Sequence, residues 1–311
     1  MKLVLPALAR PLLEARLPAG HDIAWVGTVD EAVAAIADAD IAWVDLPPQG
    51  LTEQAVSAAP QLKWLFTAIA GLDSLDLRAL AAQGTIVTNG TGINAIAVAE
   101  YAVMGMLAAA KRYDEVVRAA DRHDWPTNAP GRVELYETKA LIVGMGAIGA
   151  LIAERLAAFG VGVTGVTRSG RDGTLTADQW QARIGDFDWV ILAAPSTDAT
   201  KAMIGKDQLA AMKSSAWLVN IARGEMVEQD ALIAALTARR IAGAFLDTVH
   251  PEPLPADHPL WTAPNVLHSM HLSGRSQTKM FVRAATLFID NLEAYLAGRP
   301  MKNVVDLDAG Y

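Results

Sequence analysis

The sequence contains no cysteine. That excludes disulfides, thiolate nucleophiles and Cys-ligated metals, and it fits a chain working in a reducing cytoplasm. Positive charge is scarce. Twenty-six Lys and Arg against 34 Asp and Glu leave a formal net charge of -8 with no dense basic run, which argues against a nucleic-acid surface. Attraction of an anionic ligand must therefore be local. Long apolar runs are missing too: the Ala-rich stretch from 95 to 110 carries Glu100, and none reaches the roughly 20 residues that span a bilayer. The opening MKLVLPALARPLLEARL is interrupted by prolines and charges before any small-residue cleavage site, so it reads as strand and helix and not as a signal peptide. The serines lack a nucleophile-elbow context, and no spacing of His, Asp and Glu resembles a metal site. What is present is globular material of 311 residues, 52% hydrophobic and 19% charged, long enough for two domains.

The organising stretch is Ala140-Leu141-Ile142-Val143-Gly144-Met145-Gly146-Ala147-Ile148-Gly149. A continuous apolar strand turns through glycines into an Ala-rich helix that runs to Phe159, and a second strand follows over Val161 to Val166. Gly144 permits the turn, Gly146 lets backbone approach a pyrophosphate, and Gly149 lets the helix pack on the strand. The helix start at Ala147 and Ile148 offers free N–H groups to negative charge. This predicts a dinucleotide cradle.

Strands alternate with helices along the rest of the chain, which predicts parallel sheets with right-handed crossovers. The first series reads as strand Lys2 to Leu5, helix Ala32 to Ala39, strand Ile41 to Val44, helix Glu53 to Ala59, strand Leu62 to Thr67, helix Leu75 to Gln83 and strand Ile86 to Thr88. A long helix runs from Asn94 to about Arg112, capped by Asn94 or Thr91. A polar segment, Arg118 to Glu137, reads as loop with uncertain short helices. After the cradle come strands Trp189 to Ala193, Ala216 to Asn220, Gly243 to Asp247 and Val266 to His268, with helices Lys206 to Met212 and Glu228 to Ala238 between them. Pro251 to Pro264 is loop, and Gln277 to Ala297 is a long amphipathic helix stopped by Gly298. The expected architecture is α/β: two Rossmann-like, doubly wound parallel-sheet domains with a cleft between them. The first would be discontinuous (1–96 plus 284–311) and would hold substrate; the second (97–283) would hold the dinucleotide.

Polar groups gather at the strand ends of the second series: Asn220-Ile221-Ala222-Arg223-Gly224, Asp247 with Glu252, and His271-Leu272-Ser273-Gly274. Carboxyl ends of parallel strands converge on one crevice. A guanidinium, a carboxylate and an imidazole meeting there suit reduction of a keto acid. Arg binds carboxylate bidentately, His gives a proton to a developing alkoxide, and Glu keeps that His protonated. Spacing alone does not show that these groups meet, and His21, His123, His250, His258 and His268 compete with His271.

The stretches TAIAGLDSLD (67–76), NAIAVAEY (94–101), GMGAIG (144–149), VNIARGEMVEQDAL (219–232), LDTVHPEPLPADHPLW (246–261) and NVLHSMHLSG (265–274) carry a resemblance. In that order and spacing, the chain resembles the D-isomer-specific 2-hydroxyacid dehydrogenases, which include glyoxylate/hydroxypyruvate reductases. The resemblance implies that Arg223 binds the substrate carboxylate and carbonyl oxygen, that His271 is the acid/base, and that Glu252 pairs with His271. It implies that the backbone at Ile69, Ala70 and Gly71 holds the substrate carboxylate, that Asp247 meets the nicotinamide carboxamide, and that Pro195 and Ala222 line the cofactor. It also implies a homodimer, with much of the interface on the cofactor domain and the helix near Asn94; the expected location is the cytoplasm. Two departures bear on substrate identity: Ile69 stands where many members have Gly, and Met270 where most have Pro. His250 is a candidate pocket residue. Leu46, Ile69 and the 118–137 loop with Trp125 are candidates for choosing among keto acids.

Cofactor preference is argued from the end of the second cradle strand, where NAD-specific folds place an acid about 20 residues past the glycines. Here stand Thr167, Arg168 and Ser169, then Arg171. Two hydroxyls and a guanidinium suit a 2′-phosphate, so the expected cofactor is NADP(H), with NAD(H) the alternative. The expected activity is NADPH-driven reduction of a small 2-keto acid such as glyoxylate or hydroxypyruvate. Two other readings stay open: a dehydrogenase of another small anion such as phosphite, and a catalytically idle dinucleotide-sensing protein.

Overall fold

A computed structural model describes residues 1–46, 56–72 and 74–307. The chain divides into two compact units, residues 1–94 with 277–311, and residues 95–276. The first unit is therefore discontinuous in sequence.

Five parallel strands form the sheet of the first unit among the described residues, in the order β2-β1-β3-β4-β5. They are β1 (Lys2–Pro6), β2 (Asp22–Val26), β3 (Ile41–Trp43), β4 (Trp64–Phe66) and β5 (Ile86–Thr88). Side-chain alternation sends Leu3, Leu5, Trp43, Trp64 and Phe66 to one face and Val4, Ala42 and Leu65 to the other. The first face is covered by α1 (Arg10–Leu13) and by the helix Met280–Leu296, whose Ala284, Ala285, Phe288, Ile289 and Leu292 repeat at helical spacing. The Phe288 ring stacks on Trp64 at 5.2 Å. The second face receives α2 (Val29–Ile36) and α3 (Leu77–Gln83).

Two expectations for this unit need correction. Strand β2 was not anticipated, because Asp22–Val26 is an edge strand whose half-buried residues give no clean apolar signal. Helix α2 starts at Val29 and not at Ala32, because Thr28 and Glu31 form a capping box. The helix expected from Glu53 lies outside the described residues up to position 55.

The second unit opens with α4 (Ala95–Lys111) and α5 (Tyr113–Asp121). The latter is a short helix reaching into the segment expected as loop with short helices, over Arg118 to Asp121; from Arg122 to Thr138 the chain has no helix or strand. Six parallel strands follow in the order β11-β10-β9-β8-β6-β7. They are β6 (Lys139–Val143), β7 (Gly162–Val166), β8 (Trp189–Leu192), β9 (Trp217–Asn220), β10 (Gly243–Leu246) and β11 (Val266–His268). Helix α4 and α6 (Ala147–Ala158) cover the face carrying Ile142, Ile191, Val219 and Phe245. Helices α7 (Lys206–Ala211) and α8 (Gln229–Thr237) cover the face carrying Leu141, Val190, Leu218 and Leu246. The strand order reverses at β6, so a crevice opens outside the carboxyl ends of β6 and β8. No helix of the described residues is long and apolar enough to cross a membrane.

Candidate active site

At the end of β6 the backbone of Gly144 turns with φ +103, a conformation that side chains disfavour. A Cβ there would meet Ala194 N at 2.5 Å, so the turn lies directly against the end of β8. Two residues on, Gly146 caps α6 with open space where a side chain would stand. At Gly149 a Cβ would lie 2.0 Å from Gly144 O, so only glycine lets α6 sit this close to the turn. The first-turn N–H groups of Ala147, Ile148 and Gly149 have no intrahelical acceptor, and no side chain caps the helix. An open backbone cradle with unpaired donors at a switch point fits the pyrophosphate of a dinucleotide.

Gly144 N–H donates to Val166 O at 3.0 Å, which brings the end of β7 beside this cradle. The turn that follows is closed by Thr167, whose Oγ1 lies 2.8 Å from Thr174 Oγ1 and accepts from Gly170 N–H at 3.0 Å. The Thr167 hydroxyl thus makes two bonds within the turn. Ser169 bridges to Thr176, and Arg168 is exposed. On the other side of β6, exposed Pro195 follows Ala194, and its carbonyl accepts from Thr200 Oγ1 at 2.8 Å.

Register aligns the ends of the next three strands, since Leu246 stands opposite both Asn220 and His268. After β9, buried Asn220 shapes the turn. Its Oδ1 accepts from Ala222 N–H at 3.1 Å and its Nδ2 donates to Arg223 O at 2.9 Å. Arg223 is extended and half-buried, and its guanidinium donates to Ala222 O at 2.9 Å. After β10, Glu252 folds back: Oε1 accepts from Val249 N–H at 3.1 Å, and Oε2 lies 2.6 Å from His271 Nδ1. Burial pushes the Glu252 carboxyl up, but the hydrogen bonds from His271 and Val249 and the charges of His271 and Arg223 outweigh it and hold it below its ordinary value. With Nδ1–H donated to Glu252, Nε2 is the ring nitrogen left for a ligand. No described residue takes it.

Asp247 is buried beneath this group. Its carbonyl accepts from His271 N–H at 2.6 Å. Its Oδ1 accepts from Ser269 Oγ at 2.6 Å and from Ser273 N–H at 3.3 Å, and its Oδ2 accepts from Ser273 Oγ. Oδ2 keeps one free lone pair, the acceptor a carboxamide N–H would need. Ser269 went unnoticed in the sequence, although Ser269-Met270-His271-Leu272-Ser273 places a serine two residues either side of the histidine.

Other histidines have local employment. His268 packs on Trp261 at 4.9 Å, with Nε2 3.2 Å from Leu260 O, and burial lowers its pKa. His258 Nδ1 accepts from Leu260 N–H at 3.2 Å. His250 is exposed, 3.6 Å from Glu225, and both its backbone groups bond Gln229.

In the first unit, Asp45 follows β3 and accepts from Trp43 Nε1 at 2.9 Å, from Thr67 Oγ1 at 2.7 Å and from Ala68 N–H. Burial pushes its carboxyl up against those three donors. Ile69 N–H is taken by Thr67 Oγ1 at 3.2 Å, whereas the N–H groups of Ala70 and Gly71 donate to no described residue. Their carbonyl side is anchored: Asn89 Nδ2 donates to Ala70 O at 3.1 Å and Gly90 N–H to Ile69 O at 3.1 Å. Two of the three amides expected to bind a carboxylate are open, and Ile69 is closed. Leu46 is buried and Trp125 is 93% exposed.

Residues 103–273 match the model of the D-isomer specific 2-hydroxyacid dehydrogenase NAD binding domain. The chain is 31% identical over 286 residues to a D-3-phosphoglycerate dehydrogenase of Methanocaldococcus jannaschii, covering 90% of this chain and 54% of that one. It thus spans about half the length of that relative. It is 33% identical over 258 residues to glyoxylate/hydroxypyruvate reductase B of Pectobacterium carotovorum, covering 80% of each. A solved NADPH-dependent glyoxylate/hydroxypyruvate reductase of Sinorhizobium meliloti, in complex with NADP and malonate, superposes with a TM-score of 0.77 at 26% identity over 99% of this chain and 97% of its own. The chain belongs to the D-isomer specific 2-hydroxyacid dehydrogenase family.

Proposed function

We propose that this protein reduces a small 2-keto acid, of the glyoxylate or hydroxypyruvate kind, to the D-2-hydroxy acid with NADPH as the preferred reductant. The observation that carries the reading is the Glu252–His271 contact of 2.6 Å, at strand ends shared with Arg223 and on the unit that holds the glycine cradle. A bound reduced nicotinamide supplies the hydride. The chain's own groups do the rest. Arg223 pairs with the substrate carboxylate and polarises the keto oxygen. His271 Nε2–H gives a proton to that oxygen as negative charge develops on it, while Glu252 fixes the ring through Nδ1–H and stabilises the imidazolium before transfer. The amides of Ala70 and Gly71, open in the first unit, are suited to the substrate carboxylate.

The NADPH preference rests on Arg168, exposed at the end of β7 beside the cradle, and on the lack of a carboxylate directly after that strand. The family relative solved with NADP supports it by likeness. The test is oxidation of NADPH and NADH against glyoxylate, hydroxypyruvate, pyruvate and phenylpyruvate, beside His271→Ala. Turnover should be faster with NADPH and fall by about 10²–10⁴-fold in the variant. A variant with parental kcat/KM removes His271 from the mechanism, and equal rates with both cofactors remove the Arg168 preference.

The same reading makes the protein a homodimer in the cytoplasm. An apolar groove between α4 and α6 exposes Met104, Tyr113 and Phe159, and is edged by Glu100 and Arg155 4.0 Å apart. A face carrying both charge signs can pair with its own two-fold copy. Light scattering on a sizing column should give twice the chain mass, and Met104→Glu should return it toward one.

A further inference from the structure

His271 sits in unfavourable backbone. Met270 and His271 are consecutive non-glycine residues in the left-handed region, with φ of 52 and 55. Such residues persist only where the surroundings over-determine them. Here the surroundings are a backbone turn bond, Leu272 N–H to Ser269 O at 3.0 Å, and buried Asp247, through both its backbone carbonyl and its carboxylate. Asp247 takes the His271 N–H on its carbonyl at 2.6 Å, the Ser269 hydroxyl on Oδ1 at 2.6 Å, and both the hydroxyl and the N–H of Ser273 on its carboxylate. The two serines bracket the left-handed pair, and all three residues are buried.

We propose that Ser269 and Ser273 are positioning residues: bonded to Asp247, they hold the strained His271 backbone so that its ring meets Glu252 and presents Nε2. Neither serine touches the reacting atoms. Their hydroxyls act through the loop, which makes the sequence S-x-H-x-S one functional unit with an aspartate 22 residues upstream of its first serine. The catalytic half of this inference rests on His271 being the proton donor; the structural half does not.

The test therefore has two readouts in the full chain. The first is the solvent exchange of the His271 Hδ1 proton, seen by NMR and assigned by its loss in Glu252→Gln. Pairing with Glu252 protects it in the parent, and Ser269→Ala/Ser273→Ala should speed its exchange at least tenfold. Ser269→Thr, which keeps the hydroxyl, should retain protection. The second readout is kinetic: kcat of the double variant should fall about 10- to 100-fold while KM for the keto acid and Kd for NADPH stay within about twofold. Unchanged Hδ1 exchange in the double variant overturns the proposal whatever kcat does. Should the double variant not fold, Ser269→Ala against Ser269→Thr decides: equal exchange in the two overturns it, and faster exchange in the alanine variant alone supports it. If the parent turns over no keto acid, the functional reading fails, and the exchange measurement still judges the clamp.

Discussion

Asp45 in the first unit and Asp247 in the second occupy equivalent places. Each lies just past a strand, Asp45 two residues after β3 and Asp247 directly after β10, and each takes hydrogen bonds from the loop that follows the neighbouring strand, β4 or β11. The loops they hold differ in what they present. Beyond Ala68 the first loop offers the backbone N–H groups of Ala70 and Gly71, with no left-handed residue among positions 67–72. Beyond Ser269 the second offers one side chain on two left-handed residues. A backbone donor is aimed by the chain that carries it, so one fixed point before it and carbonyl anchors behind it suffice. A ring on a side chain needs its backbone fixed on both sides and a partner for its near nitrogen, Nδ1, which Glu252 supplies.

Removing the two carboxylates should separate these roles. Asp247→Ala and Asp45→Ala each strand three donors, and a buried donor left without an acceptor costs about 1–3 kcal/mol. Both variants should show urea midpoints well below the parent's. In the protein that remains folded, Asp247→Ala should lose about 10²-fold in kcat. Asp45→Ala should mainly raise KM for the keto acid, by about tenfold, equivalent to about 1.4 kcal/mol of binding. Steady-state kinetics with the pattern reversed would break the comparison.

A smaller effect is a difference of sign in pH dependence. Burial raises the folded pKa of Asp45, so its contribution to stability is full below the unfolded value of about 3.9 and is lost as pH rises through the folded value. Glu252 is the opposite case. Its folded pKa is lowered, so its contribution is present above about 4.3 and is lost as pH falls through the folded value. Urea titrations from pH 3 upward should show Asp45→Asn flattening a decline toward neutral pH and Glu252→Gln flattening a decline toward acid. Slopes of the same sign in the two variants would mean that the carboxylates are solvated alike.

The same contrast explains what the sequence disclosed. Parallel strands buried on both faces read as apolar runs, so β1, β3, β4, β6, β8, β9 and β10 were legible, as was the glycine turn, where Gly144 turns with positive φ and Gly149 packs against it. Edge strand β2 was not, whereas edge strand β7, with the same half-buried pattern, was found because it follows the helix that the glycine turn starts. Helix α5 begins at left-handed Arg112 with no cap and is held by surface pairs such as Arg118–Asp114, so its start carries no signal. The site was legible in residue type through family likeness. The Glu252–His271 contact across 19 residues came with that likeness; the Ser269–Asp247 bond across 22 did not, because it joins strand ends whose alignment only the folded sheet defines. Thr167 and Ile69 each have a local bond that residue type did not disclose, since a threonine hydroxyl near a turn bonds a nearby backbone N–H.

The smallest expected effect tests the strain itself. Glycine adopts the left-handed region without the side-chain penalty of about 1–2 kcal/mol, but loses roughly 0.5–1 kcal/mol through the added freedom of the unfolded chain. Met270→Gly should thus stabilise the protein by up to about 1 kcal/mol. Ala70→Gly, at a position without positive φ, should destabilise it by roughly 0.5–1 kcal/mol. Met270→Pro goes the other way, because the ring fixes φ near −65° where this loop needs 52. That substitution should release the Asp247 clamp and lower kcat. Chemical denaturation of the three variants gives the order Met270→Gly, parent, then Ala70→Gly and Met270→Pro; a proline variant as stable and as active as the parent would show that His271 does not depend on left-handed backbone at residue 270.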